Sequence, residues 1–209
     1  MRGRPRSFDC DKALDQAMEV FWRKGYEGTS IADLTAAMGI NPPSLYAAFG
    51  NKEALFRKAL DRYVERRTVV WTEAMTAPTA REAVEQLLRK AADFLTNECS
   101  PGCLMVKGSL TCGEGAERLQ QEMASVKARG EAMLRERFER AMEEGDLPLD
   151  ADPEALARFV TTIGQGMSVQ AAGGASNAAL HEVVDVAMLA FPRANSQRKA
   201  ERGVRRAVR

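Results

Sequence analysis

The sequence predicts an all-α protein of about nine helices, and three observations predict it. Apolar residues recur three and four positions apart along nearly the whole chain. Good helix formers (Ala, Leu, Glu, Arg, Met) dominate, and no segment shows the apolar-polar alternation of a half-buried strand. The 209 residues are 45% apolar and 28% charged, an ordinary globular balance with enough apolar material for a core. No internal repeat is present.

The first helix is expected from about Asp9 to Lys24, with Leu14, Ala17, Met18 and Phe21 on one face. Ser7 or Asp9 caps its start, and Gly25 ends it. A short helix follows the N-cap pair Thr29-Ser30, carries Ile31, Leu34 and Met38, and stops at Gly39. Asn41 caps a third, with Pro42 at its first position, where the missing N–H costs nothing. Gly50-Asn51 breaks that helix, and Asn51 caps a fourth, expected to last to about Trp71. Three short helices with a tight glycine turn between the second and third form a helix-turn-helix signature.

Longer helices follow. Residues 80–97 place Val84, Leu87, Leu88, Ala91, Phe94 and Leu95 on one side, and Ser100-Pro101-Gly102 breaks the pattern. A short apolar segment runs from Cys103 to Cys112, then a long amphipathic helix over 114–144 ends at Gly145-Asp146-Leu147-Pro148. Asp152-Pro153-Glu154 opens a helix reaching about Ala172, and Asn177 opens the last one, through Phe191. Gly164 and Gly166 are costly within a helix and suggest a close approach at an interface or beside a ligand. From Pro192 the chain is basic, nearly without apolar residues, and is expected to be disordered.

The net charge of +1 hides an asymmetry. Residues 1–60 carry 9 basic against 7 acidic side chains, residues 61–190 carry 14 against 21, and residues 191–209 carry 7 against 1. Basic ends on an acidic body suit a protein that meets a polyanion at one end. No run of about 18 apolar residues suggests a membrane span, and no apolar segment follows the basic N-terminus as a secretory signal would require, so the cytoplasm is the expected compartment. Cys10, Cys99, Cys103 and Cys112 form no C-x-x-C pair, and His181 stands alone, so no metal site and no cofactor are expected. Enzyme motifs are absent. Gly102 to Ser109 reads Lys107-Gly108-Ser109 where a phosphate loop needs Gly-Lys-Ser, with no strand before it.

The stretch from Gly28 to Phe56, with Thr29-Ser30-Ile31, Gly39, Ser44-Leu45-Tyr46-x-x-Phe49 and Lys52-Glu53, closely resembles the DNA-binding domain of the TetR family of transcriptional regulators. The resemblance implies a homodimer bound to a palindromic double-stranded operator, with repression relieved by a small-molecule inducer. It implies a DNA-binding domain over residues 1–56, a ligand-binding and dimerisation domain over 57–191, and a tail over 192–209. At the start of a recognition helix, Asn41, Pro42, Pro43 and Ser44 are expected to meet base edges, with Ala47 one turn on. Tyr46 and Lys52 are expected at phosphates, as are Thr29 and Ser30. Arg4 and Arg6 lie on an arm suited to a narrow minor groove.

A mostly apolar ligand pocket with few charges is expected within residues 80–170. Phe94, Cys103, Met105, Met123 and Phe138 would form its walls, and Ser109, Thr162 and Gln165 would orient the ligand. Cys103 has two readings. It is a small buried core residue, or a sensing thiol beside a helix start with Lys107 one turn along and Cys99 as resolving partner. Cys10, between Asp9 and Asp11, is a poor sensor. The two helices over 153–191 carry apolar faces broader than one core needs, which suggests a four-helix interface between two copies.

Overall fold

The computed structural model describes residues 8–96, 101–111 and 117–193, and all described secondary structure is helical. Nine helices are described: α1 (Cys10–Lys24), α2 (Ile31–Met38), α3 (Pro42–Phe49), α4 (Lys52–Met75), α5 (Ala80–Leu95), α6 (Leu104–Thr111), α7 (Glu117–Glu143), α8 (Pro153–Ala172) and α9 (Asn177–Ala190). None is long and apolar enough to cross a membrane. No described group of three or more His, Cys, Asp or Glu is placed to hold a metal ion. The arm with Arg4 and Arg6, Cys99, Cys112 and the tail beyond 193 lie outside the described residues.

Helix boundaries follow local chemistry. Asp9 caps α1, accepting from Asp11 N and Lys12 N. Ser30 and Asp33 form a reciprocal capping box on α2. Asn41 caps α3 and Asn51 caps α4 through the backbone N–H three residues on. The last helix is capped by Ser176. Asn177 instead reaches across to Asp93 and Thr96, a use of its amide that adjacency to the helix start does not reveal. The fourth helix runs past the expected Trp71 to Met75 because no breaker occurs before Pro78.

The small head formed by α1–α3 is joined to the body by α4, against which α1 packs. Phe21, Tyr26 and Phe56 form one aromatic cluster there, with Phe21–Phe56 centroids 5.0 Å apart, edge to face. Arg62 pairs with Asp11, and Arg66 holds Asp15 at 2.8 Å, so two turns of α1 are tied to α4. In the body, α5 packs on α4, α8 and α9, and α7 packs on α8. His181 bridges α9 to α5, its Nε2 lying 2.9 Å from Asp93, a structural position for the single histidine. The helical glycines of α8 do not mark a close approach within the chain: a Cβ at Gly164 or Gly166 would meet nothing within 4 Å.

Candidate nucleic-acid interface and ligand cavity

Gly39 ends α2 in the left-handed region at φ 63°, and Ile40 N donates back to Thr35 O, which turns the chain tightly into α3. Leu45 and Phe49 are the buried residues of α3. That leaves Asn41, Pro42, Pro43, Tyr46 and Ala47 exposed and Ser44 half-buried, so the structure brings all the expected reading residues of this helix to one end of the head. Tyr46 is 51% exposed. The Asn41 side-chain oxygen accepts from Ser44 N at 2.9 Å, and its NH2 group has no partner among the described residues. The carbonyl oxygen retains a second lone pair, so the amide can still face an adenine.

Lys52 stands in the first turn of α4, its ammonium 4.4 Å from the Tyr26 ring centroid. This contact fixes a cation beside the free N–H groups of the helix start, a site suited to a phosphate. Two expected phosphate contacts differ. Thr29 is 2% exposed and its hydroxyl donates to Gly25 O at 2.6 Å, so it serves the turn between α1 and α2. The Ser30 hydroxyl donates to Asp33 and accepts from Asp33 N. Both hydroxyls are engaged in holding the head together. The Asp33 carboxyl is held well below its ordinary range, by its Lys24 hydrogen bond first and its Ser30 bonds next.

A cavity of about 330 Å³ lies among α4, α5, α6, α7 and α8. This is the lower end of the range typical of small-molecule sites, about 300–1,000 Å³. Phe94, Cys103, Met105 and Gln165 line it as expected. Met123 and Phe138 do not: Met123 is buried with its sulfur against Gly108, and Phe138 packs on Phe191 with centroids 5.6 Å apart. Thr162 is exposed, and its neighbour Thr161 lines the cavity, a phase difference of one residue or about 100° of helix. The side chain of Ser109 lies outside the described set.

Two features of the cavity escaped the sequence reading. One wall is α4, through Val64, Arg67, Thr68 and Trp71, outside the expected 80–170. The lining is also more charged than expected, with Arg67, Lys90, Lys127 and Arg129 and no described carboxylate. Cys103 is 4% exposed and sits where both of its readings meet, buried yet on the cavity wall. Its Sγ accepts from the Tyr63 hydroxyl at 3.1 Å, and Arg67 Nη1 lies 3.6 Å away. Burial, and next the neighbouring thiol, push the Tyr63 phenol up from its ordinary value.

The cavity touches the head directly. Trp22 of α1 stacks on Phe94 with centroids 5.3 Å apart, and its indole Nε1 donates to Gly102 O at 2.9 Å, one residue before Cys103. Lys107 Nζ, whose pKa burial lowers, is 3.4 Å from Trp22 O.

Residues 13–59 match the model of the bacterial regulatory proteins, tetR family, and residues 78–187 match the tetracyclin repressor-like C-terminal domain. The HTH-type transcriptional repressor ComR of Escherichia coli K12 is 36% identical over 194 residues, covering 91% of this chain and 92% of ComR. Among solved structures, a cysteine mutant of the TetR family regulator CifR, in complex with 26-bp double-strand operator DNA, is 43% identical. Its TM-score is 0.86, over 90% of this chain and 100% of that one. A TetR regulator from Rhodococcus sp. RHA1 is 44% identical with a TM-score of 0.63, over 89% and 100% of the two chains.

Proposed function

The chain belongs to the TetR family of bacterial regulators, and from that membership we propose that it is a homodimeric repressor released from a palindromic operator when a small molecule fills the α4–α8 cavity. Proteins of this family and its named relatives are transcriptional regulators, not enzymes. Residues 1–56 read DNA, residues 57–191 sense the ligand and dimerise, and the protein works in the cytoplasm, where its DNA lies.

The observation that carries this reading is the exposed end of α3 beside Lys52, inside residues 13–59, which match the model of the tetR-family regulatory proteins. Asn41, Pro42, Pro43 and Ser44 specify bases, while Tyr46 and Lys52 hold phosphates. The arginines of the N-terminal arm add minor-groove contacts. Lys52→Ala is expected to weaken binding to all sequences about equally and to reduce the slope of log affinity against log salt by about one. Titrations of operator and random DNA by fluorescence anisotropy at several salt concentrations check this. An unchanged slope removes Lys52 from the interface.

Dimerisation is assigned to α8 and α9. Val169, Val186 and Leu189 are 53%, 66% and 79% exposed. An exposed apolar set of this kind on two neighbouring helices supports a two-fold four-helix interface. Val186→Glu is expected to weaken self-association at least about tenfold, since an unpaired carboxylate must then be desolvated. Sedimentation velocity on parent and variant measures it. A variant as dimeric as the parent at micromolar concentration moves the interface elsewhere.

Release requires that ligand bind better to a dimer whose recognition helices are spaced wrongly for the operator. Helix α4 supports this coupling physically, since Arg67 and Trp71 line the cavity on the same helix whose first turn carries Lys52.

A further inference from the structure

We propose that the cavity selects an amphipathic anion, an apolar body carrying one carboxylate-type group, and that Arg67 is the residue that reads the anionic end. The inference rests on the cavity being the effector site and names the class of effector.

The cavity wall joins apolar side chains, among them Trp71, Leu87 and Phe94, to cations, and its described lining contains no Asp or Glu. The cations are not equivalent. Lys90 is already paired with Glu73 at 2.6 Å. Arg67 is different. It is half-buried, and its partners among the described residues are the Cys103 and Met105 sulfur atoms, at 3.6 and 3.8 Å, and the Tyr63 ring at 5.9 Å. Thiol and thioether sulfurs are weak acceptors. A guanidinium brings five donors in a planar fork that fits a carboxylate in two parallel bonds, and in a part-buried setting such bonds are short and strong. Arg67 thus stands half-buried at the cavity wall with most of its donor capacity unanswered within the described chain.

A neutral apolar ligand would bury this guanidinium further without answering it, which costs binding energy, and a cationic one would be repelled. A doubly charged or wholly polar metabolite would leave the aromatic and aliphatic walls unfilled. One anionic group on an apolar body satisfies both parts of the lining.

Three probes sharing one naphthylmethyl body test this: 1-naphthaleneacetate, its isosteric neutral amide 1-naphthaleneacetamide, and the shorter cation 1-naphthylmethylamine. Binding to the full chain is read by calorimetry. The carboxylate is expected to bind at least about tenfold tighter than the amide, and the amine weakest. Arg67→Met should erase the preference for carboxylate over amide, and Arg67→Lys should keep part of it, with circular dichroism reporting the fold of each. In the parent, the preference should shrink as salt rises from about 50 to 500 mM, a test that needs no substitution. Equal affinity for acid and amide, a preference retained in Arg67→Met, or no binding of any probe at millimolar concentration would overturn the inference. Operator release is scored separately. If the carboxylate binds with the expected preference but leaves DNA bound, the anion site stands and the effector reading falls. If only the amide binds and releases DNA, the effector reading stands and the anion inference falls.

Discussion

Replacing Trp22 with alanine is expected to destabilise the protein by about 3–5 kcal/mol, the range for deleting a large buried aromatic side chain. Trp22 is 5% exposed and makes three separate connections. It stacks on Phe94, it meets Tyr63 edge to face with centroids 5.0 Å apart, and it donates to Gly102 O. Trp22→Phe isolates the last of these. Phenylalanine keeps much of the packing but has no donor, and Gly102 is buried, so its carbonyl loses its indole partner at about 1–3 kcal/mol. Urea denaturation of the three proteins measures both differences. Because Phe94 and Cys103 line the cavity while Trp22 belongs to the head, Trp22→Phe should also raise the ligand concentration needed for operator release more than it changes ligand affinity. A phenylalanine variant within about 0.5 kcal/mol of the parent, with an unshifted release curve, would show that α1 and the cavity are not coupled through this residue.

The head was legible in the sequence because its information is local. Ser30, Asn41 and Asn51 each act on a backbone N–H three residues away, and Gly39 acts on its own turn, so spacing alone places α2, α3 and the start of α4. The same local logic offered the hydroxyls of Thr29 and Ser30 to phosphates without revealing the partners they already have within the chain. Their hydroxyls are held by Gly25 and Asp33, partners that capping rules name only once the turn geometry is known. The cavity was less legible because it is a property of helix phase and of contacts far apart in sequence. Thr161 and Thr162 are alike in composition and neighbours, yet only Thr161 lines the cavity. Met123 and Phe138 read as wall residues, but each is taken up by a partner elsewhere in the chain, Gly108 on α6 and Phe191 just past the end of α9. The contribution of α4 was missed for a related reason. A helix that reads as a connector between domains has two faces, and which of them borders a void is decided by how α5 to α8 pack around it.

Gly102→Ala is expected to cost about 2–5 kcal/mol, more than any glycine substitution at a comparable backbone angle in this chain where space is open. Gly102 has φ 86°, a conformation an alanine adopts only with about 1–2 kcal/mol of strain. A Cβ there would also lie 3.0 Å from Ser168 O and 3.1 Å from the Ala172 Cβ, both on α8, adding an overpacking cost of about 1–3 kcal/mol. Ser168 cannot yield freely, because it is 2% exposed and its hydroxyl accepts from Cys103 N at 2.8 Å. Gly145→Ala supplies the control. Gly145 has φ 75° but nothing within 4 Å of its Cβ position, so it should show the strain alone. The difference between the two variants therefore reports the wedge between α8 and the start of α6. Relief of that clash must push the segment carrying Gly102 and Cys103 away from α8, and Trp22 is bonded to the same segment. Operator affinity of Gly102→Ala should consequently fall without ligand, while Gly145→Ala, at the turn after α7, leaves it unchanged. Equal thermal midpoints and equal operator affinities for the two variants would show that the chain absorbs the added methyl group without moving the wall it shares with the head.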